Sequence, residues 1–477
     1  MNFNKFKPKK SKNSSTSVYN LKKSIEKISK HKNFIFLLKN ISLITKLPYQ
    51  TIEMKSKQLI NNSFDYNNFK FQENDKLYLI FYTIKNLLLF FYLYLISFLI
   101  FKKKKINIII DNVENFDTLN IYKKYFKKKN DLLFITKNIK TNEKLKKKSL
   151  SVYKIPINKE VFKNNFKSIL KLTIFTLGHD LFTKGNFTII FFKILLSYIK
   201  YFSLFTYISS NFLIHNRIYL SCPIKNFLHK KFGGKKVITL QTHIIENSIS
   251  LFKDVDILCA WGTNLEIKKK IINLGGKVNQ LIPIGSLKME SSLDNKTNLN
   301  QLKNIDILIL GVNPTLWIQS SNQIKHNYYK FIELISQLPT YFENLNIVYK
   351  HHENFTGDAK EEKILKISGI KKIIIDENNL NTYHYLLKSK LVLSFCSSMI
   401  AESLSLQIPS FYIDLNNSSQ TFFRHLESFN KIKINSKKKL FNIIELYLKN
   451  KKRFYLNTNT FCLKHEGVTK RLIKILN

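Results

Sequence analysis

Cysteine, glycine, proline and tryptophan are scarce in this sequence. Its 477 residues include only 4 Cys, 12 Gly, 8 Pro and 2 Trp. The cysteines (Cys222, Cys259, Cys396 and Cys462) are far apart and form no CxxC pair. This spacing excludes a disulfide-stapled scaffold and a cysteine-rich zinc site, and it is typical of a protein in a reducing compartment. So little glycine and proline excludes collagen-like, elastomeric and proline-rich linker proteins.

Acidic residues are also few, since 32 Asp and Glu stand against 78 Lys and Arg, which gives a net charge of +46. Lysine is spread along the whole chain, while arginine, whose forked side chain suits phosphates and bases, is rare. Three interpretations stay open: a solvated surface that reflects compositional bias, attraction to an anionic membrane, and nucleic-acid binding. No RNP-like aromatic motif supports the last of these.

Hydrophobic residues make up 44% of the chain, enough for buried cores. Residues 1–17 are basic and rich in Ser and Asn, and we expect a disordered tail. Residues 18–105 are predicted as a helical extension with an apolar segment at 77–101, which ends in a run of lysines. A buried core helix, a helix in the membrane interface and a true span all remain open, because the uncharged part is shorter than the ~20 residues of a span.

A second apolar stretch covers residues 187–214. Its polar residues Lys193, Ser197, Lys200 and Ser203 fall on one face of a helix. This pattern predicts either a helix in the membrane interface or a helix packed on a sheet with its polar stripe in water.

From residue 105 onward, short β-branched runs alternate with helical segments. The runs predicted as strands are 106–111, 132–135, 237–241, 257–261, 280–284, 305–310, 347–350, 373–375, 391–395 and 410–413. This alternation is typical of parallel α/β sheets. A polar break at 291–304 separates two groups of strands. We therefore expect two Rossmann-like domains, at 106–290 and 300–435, followed by closing helices at 436–477.

Ligands in open α/β sheets bind beyond the carboxyl ends of the strands. In the second half, one strand leads into Ser397 and Ser398 at a predicted helix start, with Glu402 one turn later. The serines are candidates for binding a diphosphate at the helix N-terminus, and Glu402 for accepting hydrogen bonds from ribose. Plain capping of the helix by either serine is the alternative.

Two further strand ends in the second half carry candidates for donor binding. Lys350 and His352 can bind phosphate oxygens as point charges, against the alternatives of a zinc site or a solvated loop. Gly311 and Asn313 follow the first strand of this half. Neither GxGxxG nor a P-loop is present there, which argues against a dehydrogenase.

The first half offers three candidates for a general base. His243 follows the strand that ends at Gln241, and His179 and Asp180 lie at a less certain strand end. A histidine within reach of an acceptor hydroxyl can take its proton. A loop or core position without a chemical role is the alternative for each.

The order of these motifs resembles a known family. Gln241, Trp261-Gly262, Gly285-Ser286, Lys350-His351-His352 and Ser397-Ser398 with Glu402 follow one another as in bacterial surface-carbohydrate and capsule biosynthesis proteins of the GT-B glycosyltransferase type. CDP-glycerol glycerophosphotransferases are related to that family. The resemblance covers roughly residues 237–415. The chain departs from the family pattern at Thr242-His243 and at His351-His352-Glu353.

The resemblance implies a GT-B-like fold with two Rossmann-like domains facing a cleft. It implies a nucleotide-activated sugar held by the second domain and a glycan or lipid-linked acceptor on the first, near Gln241, Trp261, Gly262, Gly285 and Ser286. Neither a metal nor a cofactor is expected. The alternatives are a CDP-activated polyol-phosphate transferase and a non-catalytic scaffold in envelope assembly. The expected location is the cytoplasmic face of the inner membrane, as a peripheral or monotopic protein.

Overall fold

The computed structural model describes residues 30–60, 64–65, 70–71, 76–97, 103–111, 132–136, 149–151, 157–162, 166–183, 186–216, 221–242, 253–263, 265–273, 275–294, 303–312, 322–352, 359–374, 382–415, 427–449 and 458–477. The tail predicted at 1–17 lies outside these residues. So do His243 and Asn313, two of the predicted site residues.

Helices precede the first sheet, as the sequence predicts. They are α1 (Lys32–Thr45), α2 (Tyr49–Ile60) and α3 (Lys76–Ile96). A short antiparallel pair, β1 (Phe64–Asp65) and β2 (Lys70–Phe71), lies between α2 and α3. In α1 the buried side chains recur every three or four residues, which places them on one face of the helix.

The first sheet is parallel throughout. Its strands are β3 (Lys104–Asp111), β4 (Leu132–Thr136), β5 (Ser149–Ser151), β6 (Ile208–His215), β7 (Lys236–Leu240), β8 (Asp254–Ala260) and β9 (Lys277–Pro283). Their order is β5-β4-β3-β6-β7-β8-β9. This is the Rossmann order, whose switch point lies between the first and the fourth strand, here β3 and β6.

Helices cover one face of this sheet. They are α4 (Phe166–Thr183), α5 (Phe187–Tyr207), α6 (Pro223–Lys231) and α7 (Glu266–Asn273). The next helix, α8 (Leu287–Asp294), places Met289 in the core of the second sheet. Ile109, Leu213 and Val237 pack in one apolar core with α1, α5 and α6. Because both faces of a parallel sheet are covered, its strands are continuous apolar runs.

The second sheet repeats the same order. Its strands are β10 (Ile305–Leu310), β11 (Ile347–Lys350), β12 (Lys372–Ile374), β13 (Ser389–Ser394), β14 (Ser410–Ile413) and β15 (Lys433–Ile434), ordered β12-β11-β10-β13-β14-β15 and all parallel. Its helices are α9 (Asn322–Ser336), α10 (Leu338–Tyr341), α11 (Ala359–Ile367), α12 (Thr382–Leu387), α13 (Met399–Ser405) and α14 (Lys437–Ile444). The switch point lies between β10 and β13.

The C-terminal segment returns to the first sheet. After the second sheet, α15 (Val468–Leu476) packs Val468 and Leu472 against Ile110 and Ile214, on the face opposite to α5. The predicted fold class is therefore confirmed: two parallel α/β units of Rossmann order, with a helical region before them.

The apolar stretch at 187–214, predicted as a helix, contains a helix and the start of a strand. Helix α5 ends at Tyr207 and β6 begins at Ile208. Of the 18 most apolar consecutive residues of α5, 67% are buried, which supports the alternative of a helix packed on the sheet. Helix α3 differs, because only 22% of its 18 most apolar consecutive residues are buried. By length and apolar composition, both helices are long enough to cross a membrane.

Candidate active site

The strand register places the donor candidates of the second unit at one edge of its sheet. Leu310 pairs with Lys350 on one side and with Ser394 on the other, and Ser394 pairs with Tyr412. The residues that follow these strands therefore leave the sheet at the same level. This carboxyl edge, at the switch point, is where an open α/β sheet binds its ligand.

Gly311 allows a close approach of Tyr349. Its backbone N–H donates to the carbonyl of Lys350 at 2.9 Å. A Cβ at this position would lie 2.7 Å from the Tyr349 hydroxyl. The glycine is thus explained by packing, and its predicted contact with a donor stays a prediction.

Lys350 and His352 both lie at the carboxyl edge of β11. The Lys350 ammonium group donates to the carbonyl of His351 at 3.2 Å, and its side chain is largely buried. His352 is half-buried. The prediction that these two side chains contact a diphosphate is compatible with their position. Among the described residues, no group of three or more His, Cys, Asp or Glu side chains could hold a metal ion.

A buried polar cluster behind β11 was missed in the sequence. Both Tyr328 and Tyr349 donate to Glu361, at 2.8 and 2.7 Å. His351 Nδ1 lies 3.3 Å from Glu361 Oε1, so this histidine faces inward while its neighbours line the edge. Burial, followed by the nearby Glu361 carboxylate, raises the pKa of Tyr349. The cluster fixes the end of the strand that carries Lys350.

In the serine turn before α13, Ser397 takes part in capping the helix, whereas the Ser398 hydroxyl makes no capping hydrogen bond. The Ser397 backbone N–H donates to Ser394 Oγ at 3.0 Å, and Ser397 Oγ accepts from the Met399 backbone N–H at 3.2 Å. Ser398 is the N-cap residue, yet its side chain makes no capping hydrogen bond. The capping alternative therefore applies to Ser397 and not to Ser398.

Glu402 has a different role from the predicted one. Its Oε1 accepts from Ser286 Oγ at 2.5 Å and from the Tyr383 hydroxyl at 2.8 Å. The side chain is 2% exposed, which leaves no room for a ribose hydroxyl at this oxygen. Burial raises the pKa of Glu402. The carboxylate thus connects the two α/β units, and its assignment as a ribose ligand is corrected.

Trp261 and Gly262 meet the C-terminal segment, and Gln241 binds Trp261. Gln241 Oε1 accepts from the Trp261 backbone N–H at 2.8 Å, and the Trp261 carbonyl accepts from the Leu463 N–H at 2.8 Å. A Cβ at Gly262 would lie 2.5 Å from the carbonyl oxygen of Thr460. These residues were predicted to line an acceptor cleft. The structure instead packs Trp261 and Gly262 against the returning chain, and Gln241 accepts from the Trp261 backbone.

Gly285 and Ser286 also contact the C-terminal segment or the second unit. Gly285 has a φ of +93°, which favours glycine, and the preceding Ile284 carbonyl accepts from Arg471 Nε at 2.8 Å. Ser286 Oγ accepts from the Met289 N–H at 3.2 Å, and so caps α8, and donates to Glu402. Their predicted place in an open acceptor cleft is corrected to a buried contact.

His179 and Asp180 do not lie at a strand end, because both belong to α4. Asp180 is fully buried and accepts from the backbone N–H groups of Phe187 and Thr188 at 2.9 and 2.7 Å, which caps α5. The His179 ring stacks on Phe187 with 4.1 Å between ring centroids. Neither is placed as a general base. His243 lies outside the described residues.

The switch point of the first sheet holds a charged cluster that was not predicted from the sequence. Asp111 ends β3, His215 ends β6, and the register pairs them. Asp111 accepts from Lys225 and lies 3.1 Å from His215 Nδ1, while His215 Nε2 lies 2.6 Å from Asn226 Oδ1. Burial alone would raise the pKa of Asp111, but Lys225 and His215 bring it well below its usual range. The cluster ties both strands to α6.

Comparison with known proteins gives matches among solved structures alone. No protein-family model matches the chain, and no curated protein matches it. The chain is similar to UDP-GlcNAc 2-epimerase from Methanocaldococcus jannaschii, with 16% identity, 78% of this chain and 99% of that chain covered, and a TM-score of 0.43.

Two more solved structures are similar to it. Acinetobacter baumannii MurG has 10% identity, with 78% of this chain and 99% of that chain covered and a TM-score of 0.40. The wall teichoic acid polymerase TagF has 13% identity, with 83% and 92% covered and a TM-score of 0.40. These similarities concern the GT-B-like fold alone.

Proposed function

We propose that this protein is a GT-B-type glycosyltransferase that moves a sugar from a nucleotide-activated donor to a surface-polysaccharide or lipid-linked acceptor. One observation carries the proposal. Two parallel units of Rossmann order are joined by a C-terminal segment that crosses back, and the second presents Lys350 and His352 at the carboxyl edge beside its switch point. That edge is where such a sheet binds a nucleotide.

Lys350, His352 and Ser398 supply the chemistry that a nucleotide donor needs. When the sugar leaves, negative charge develops on the nucleoside diphosphate, and fixed positive groups and hydrogen-bond donors stabilise it. Lys350 is held in place by its hydrogen bond to the His351 carbonyl, so its charge is fixed before the donor binds. The Ser398 hydroxyl, which is not used for capping, can donate to a phosphate oxygen.

His243 is the general base of the proposal. His179 and Asp180 are engaged in holding α4 and α5 together, which leaves His243, just beyond β7, as the candidate for taking the acceptor proton. A CDP-activated polyol-phosphate transferase would use the same donor edge. It is distinguished by its product, a nucleoside monophosphate instead of a diphosphate.

A thermal-shift screen against UDP, CDP, GDP and CMP tests the donor site. A nucleotide at 100 times its Kd adds about 2.7 kcal/mol to the free energy of unfolding. We expect one nucleoside diphosphate to raise the Tm clearly above the others. Preference for CMP together with CDP supports polyol-phosphate transfer. No shift with any nucleotide at millimolar concentration contradicts both transferase functions and favours a non-catalytic scaffold.

With a lipid-linked acceptor, the protein would act at the cytoplasmic face of the inner membrane, in capsule or lipopolysaccharide biosynthesis. Such acceptors are assembled on lipid carriers, and the enzyme must work at the bilayer surface. The exposed apolar side of α3 supports this location, since only 22% of its 18 most apolar consecutive residues are buried.

A further inference from the structure

Helix α3 exposes apolar side chains over most of its circumference. Only Leu79 and Phe90 among its large apolar residues are fully buried. The exposed large side chains of α3 are Leu77, Ile80, Phe81, Ile84, Leu88, Leu89, Phe91, Tyr92, Tyr94 and Leu95. A contiguous apolar patch of this kind marks an interaction site.

The exposed apolar surface continues onto α4 and α1. On α4, Phe166, Leu170 and Ile174 follow one another at four-residue spacing and are exposed. The Phe166 ring lies 5.3 Å from that of Phe91 on α3. On α1, the exposed Phe36 ring lies 4.9 Å from that of Phe175. We call the exposed apolar side chains of α1, α3 and α4 together the apolar face.

The exposed charges that α1, α3 and α4 carry are all positive. Exposed lysines lie on these helices and at the start of β3: Lys32, Lys39, Lys76, Lys85, Lys103, Lys104, Lys105, Lys167 and Lys171. Neither α1 nor α3 contains an Asp or Glu. The single carboxylate of α4, Asp180, is fully buried as the cap of α5. Apolar side chains on helices that also carry exposed lysines are complementary to an anionic bilayer.

We propose that the apolar face docks on the surface of an anionic lipid bilayer, with α3 lying in the membrane plane instead of spanning it. Phe90 packs edge-on against Phe162 at 5.0 Å, and Tyr82 against Phe192 of α5 at 6.3 Å. These contacts hold α3 alongside the first α/β unit at two places along its length. A span would also bury Lys85 near the bilayer centre, which is costly, whereas an in-plane helix lets it reach the headgroups.

A second copy of the chain fits the apolar face less well. In a twofold dimer across this face, the lysines of one copy would meet those of the other, and neither α1, α3 nor α4 supplies an exposed carboxylate to pair with them. Like charges brought together at an interface are unfavourable. The docking does not depend on the transfer reaction, so each is tested separately.

Co-sedimentation of the full chain with vesicles tests the docking. We expect binding to vesicles of phosphatidylcholine with about 30% phosphatidylglycerol, and much weaker binding to phosphatidylcholine alone. The triple variant Phe81→Ser, Leu88→Ser, Leu95→Ser changes side chains that are 63%, 65% and 68% exposed. It should lower the partition coefficient by more than about tenfold, since each side chain loses its insertion into lipid.

A matched control uses exposed apolar side chains elsewhere. The variant Leu265→Ser, Ile272→Ser, Ile367→Ser changes residues that are 58%, 50% and 76% exposed, and it should bind as the natural sequence does. A pair of double variants tests the role of charge. Lys167→Glu with Lys171→Glu, on α4, should weaken binding to anionic vesicles. Lys363→Glu with Lys366→Glu, on α11, is the control and should not. Equal binding by the triple variant and its control would overturn the proposal.

Orientation and self-association are measured independently. In vesicles prepared from producing cells, a membrane-impermeant maleimide should label Lys76→Cys and Lys103→Cys from the same side, because an in-plane α3 keeps both of its ends on one side of the bilayer. The four natural cysteines are buried and should contribute little labelling of their own. Labelling from opposite sides identifies a span and contradicts the in-plane helix.

Sedimentation velocity without lipid should show a monomer. A dimer that the triple variant dissociates identifies a second copy as the occupant instead.

Discussion

Ser286 donates a hydrogen bond to Glu402 at 2.5 Å and thereby joins the last part of the first α/β unit to helix α13 of the second. The two residues are 116 positions apart in the sequence. Tyr383 donates to the same carboxylate oxygen, so the contact has one acceptor and two donors. It is the kind of buried, charge-assisted hydrogen bond that fixes one structural unit against another.

A double-mutant cycle with Ser286→Ala and Glu402→Gln measures this contact. Ser286 also caps α8, so the single variant loses more than one interaction, and only the cycle isolates the pair. We expect a coupling energy of about 1–2 kcal/mol in the free energy of urea unfolding, as for a buried hydrogen bond to a charged group. Additive effects within about 0.5 kcal/mol would contradict it.

Gly262→Ala should destabilise the protein strongly. The new Cβ would lie 2.5 Å and 2.6 Å from the carbonyl oxygens of Thr460 and Asn459, which are backbone atoms and cannot rotate away. We expect a loss of at least about 2 kcal/mol, measured by urea unfolding. Gly178→Ala is the control, since nothing lies within 4 Å of its Cβ on helix α4, and it should stabilise by about 0.5–1 kcal/mol.

Acid should destabilise the protein through His229. Burial lowers the pKa of this side chain to about 4 from 6.5. Between these values the unfolded chain binds a proton that the folded chain does not, so the free energy of unfolding falls as the pH decreases from 6.5 to 4 and levels off below. The total is about 3 kcal/mol at about 1.4 kcal/mol per pH unit.

The variant His229→Gln removes this titration. Its free energy of urea unfolding should depend less steeply on pH between 6.5 and 4.5 than that of the natural sequence. His326→Gln, at an exposed histidine of α9, should leave the slope unchanged. If both variants have the slope of the natural protein, His229 is not the group responsible.

Lys350→Met tests the donor edge. Methionine keeps the volume of the side chain and removes its charge, so the Kd of the nucleotide identified by thermal shift should rise about 10- to 100-fold, the effect of losing a charged hydrogen bond to phosphate. Lys390→Met is the control. Lys390 lies in β13 of the same sheet, exposed and paired with Asp306 at 2.8 Å. Equal Kd values for the two variants would exclude Lys350 from the site.

The strands were predictable because a parallel sheet with both faces covered needs uninterrupted apolar runs. Each run proposed from the sequence overlaps a strand of the structure. β6 was missed because Ile208 follows Tyr207 of α5 directly, with no glycine, proline or polar turn to mark the change. His179 and Asp180 were predicted at a strand end, whereas both lie inside helix α4.

The site was less predictable, because its contacts depend on strand order. Asp111 and His215 are 104 residues apart and meet only because β3 and β6 are neighbours in the sheet. Asp111 closes a strand that was predicted, but His215 closes β6, which was not, and the order of strands is not written in local sequence. For the same reason Glu402, Trp261 and Gly285 were assigned to ligands when they hold the two units and the C-terminal segment together.

The position of α15 affects how the chain folds during synthesis. The face of the first sheet that carries Ile110 and Ile214 is covered by this helix, and Arg471 of α15 binds the Ile284 carbonyl, 187 residues earlier. At about 5–20 residues per second, the ribosome needs about 10–40 s to cover that distance. For this time the nascent first unit has an uncovered hydrophobic face, so chaperone binding must compete with aggregation until the closing helix emerges.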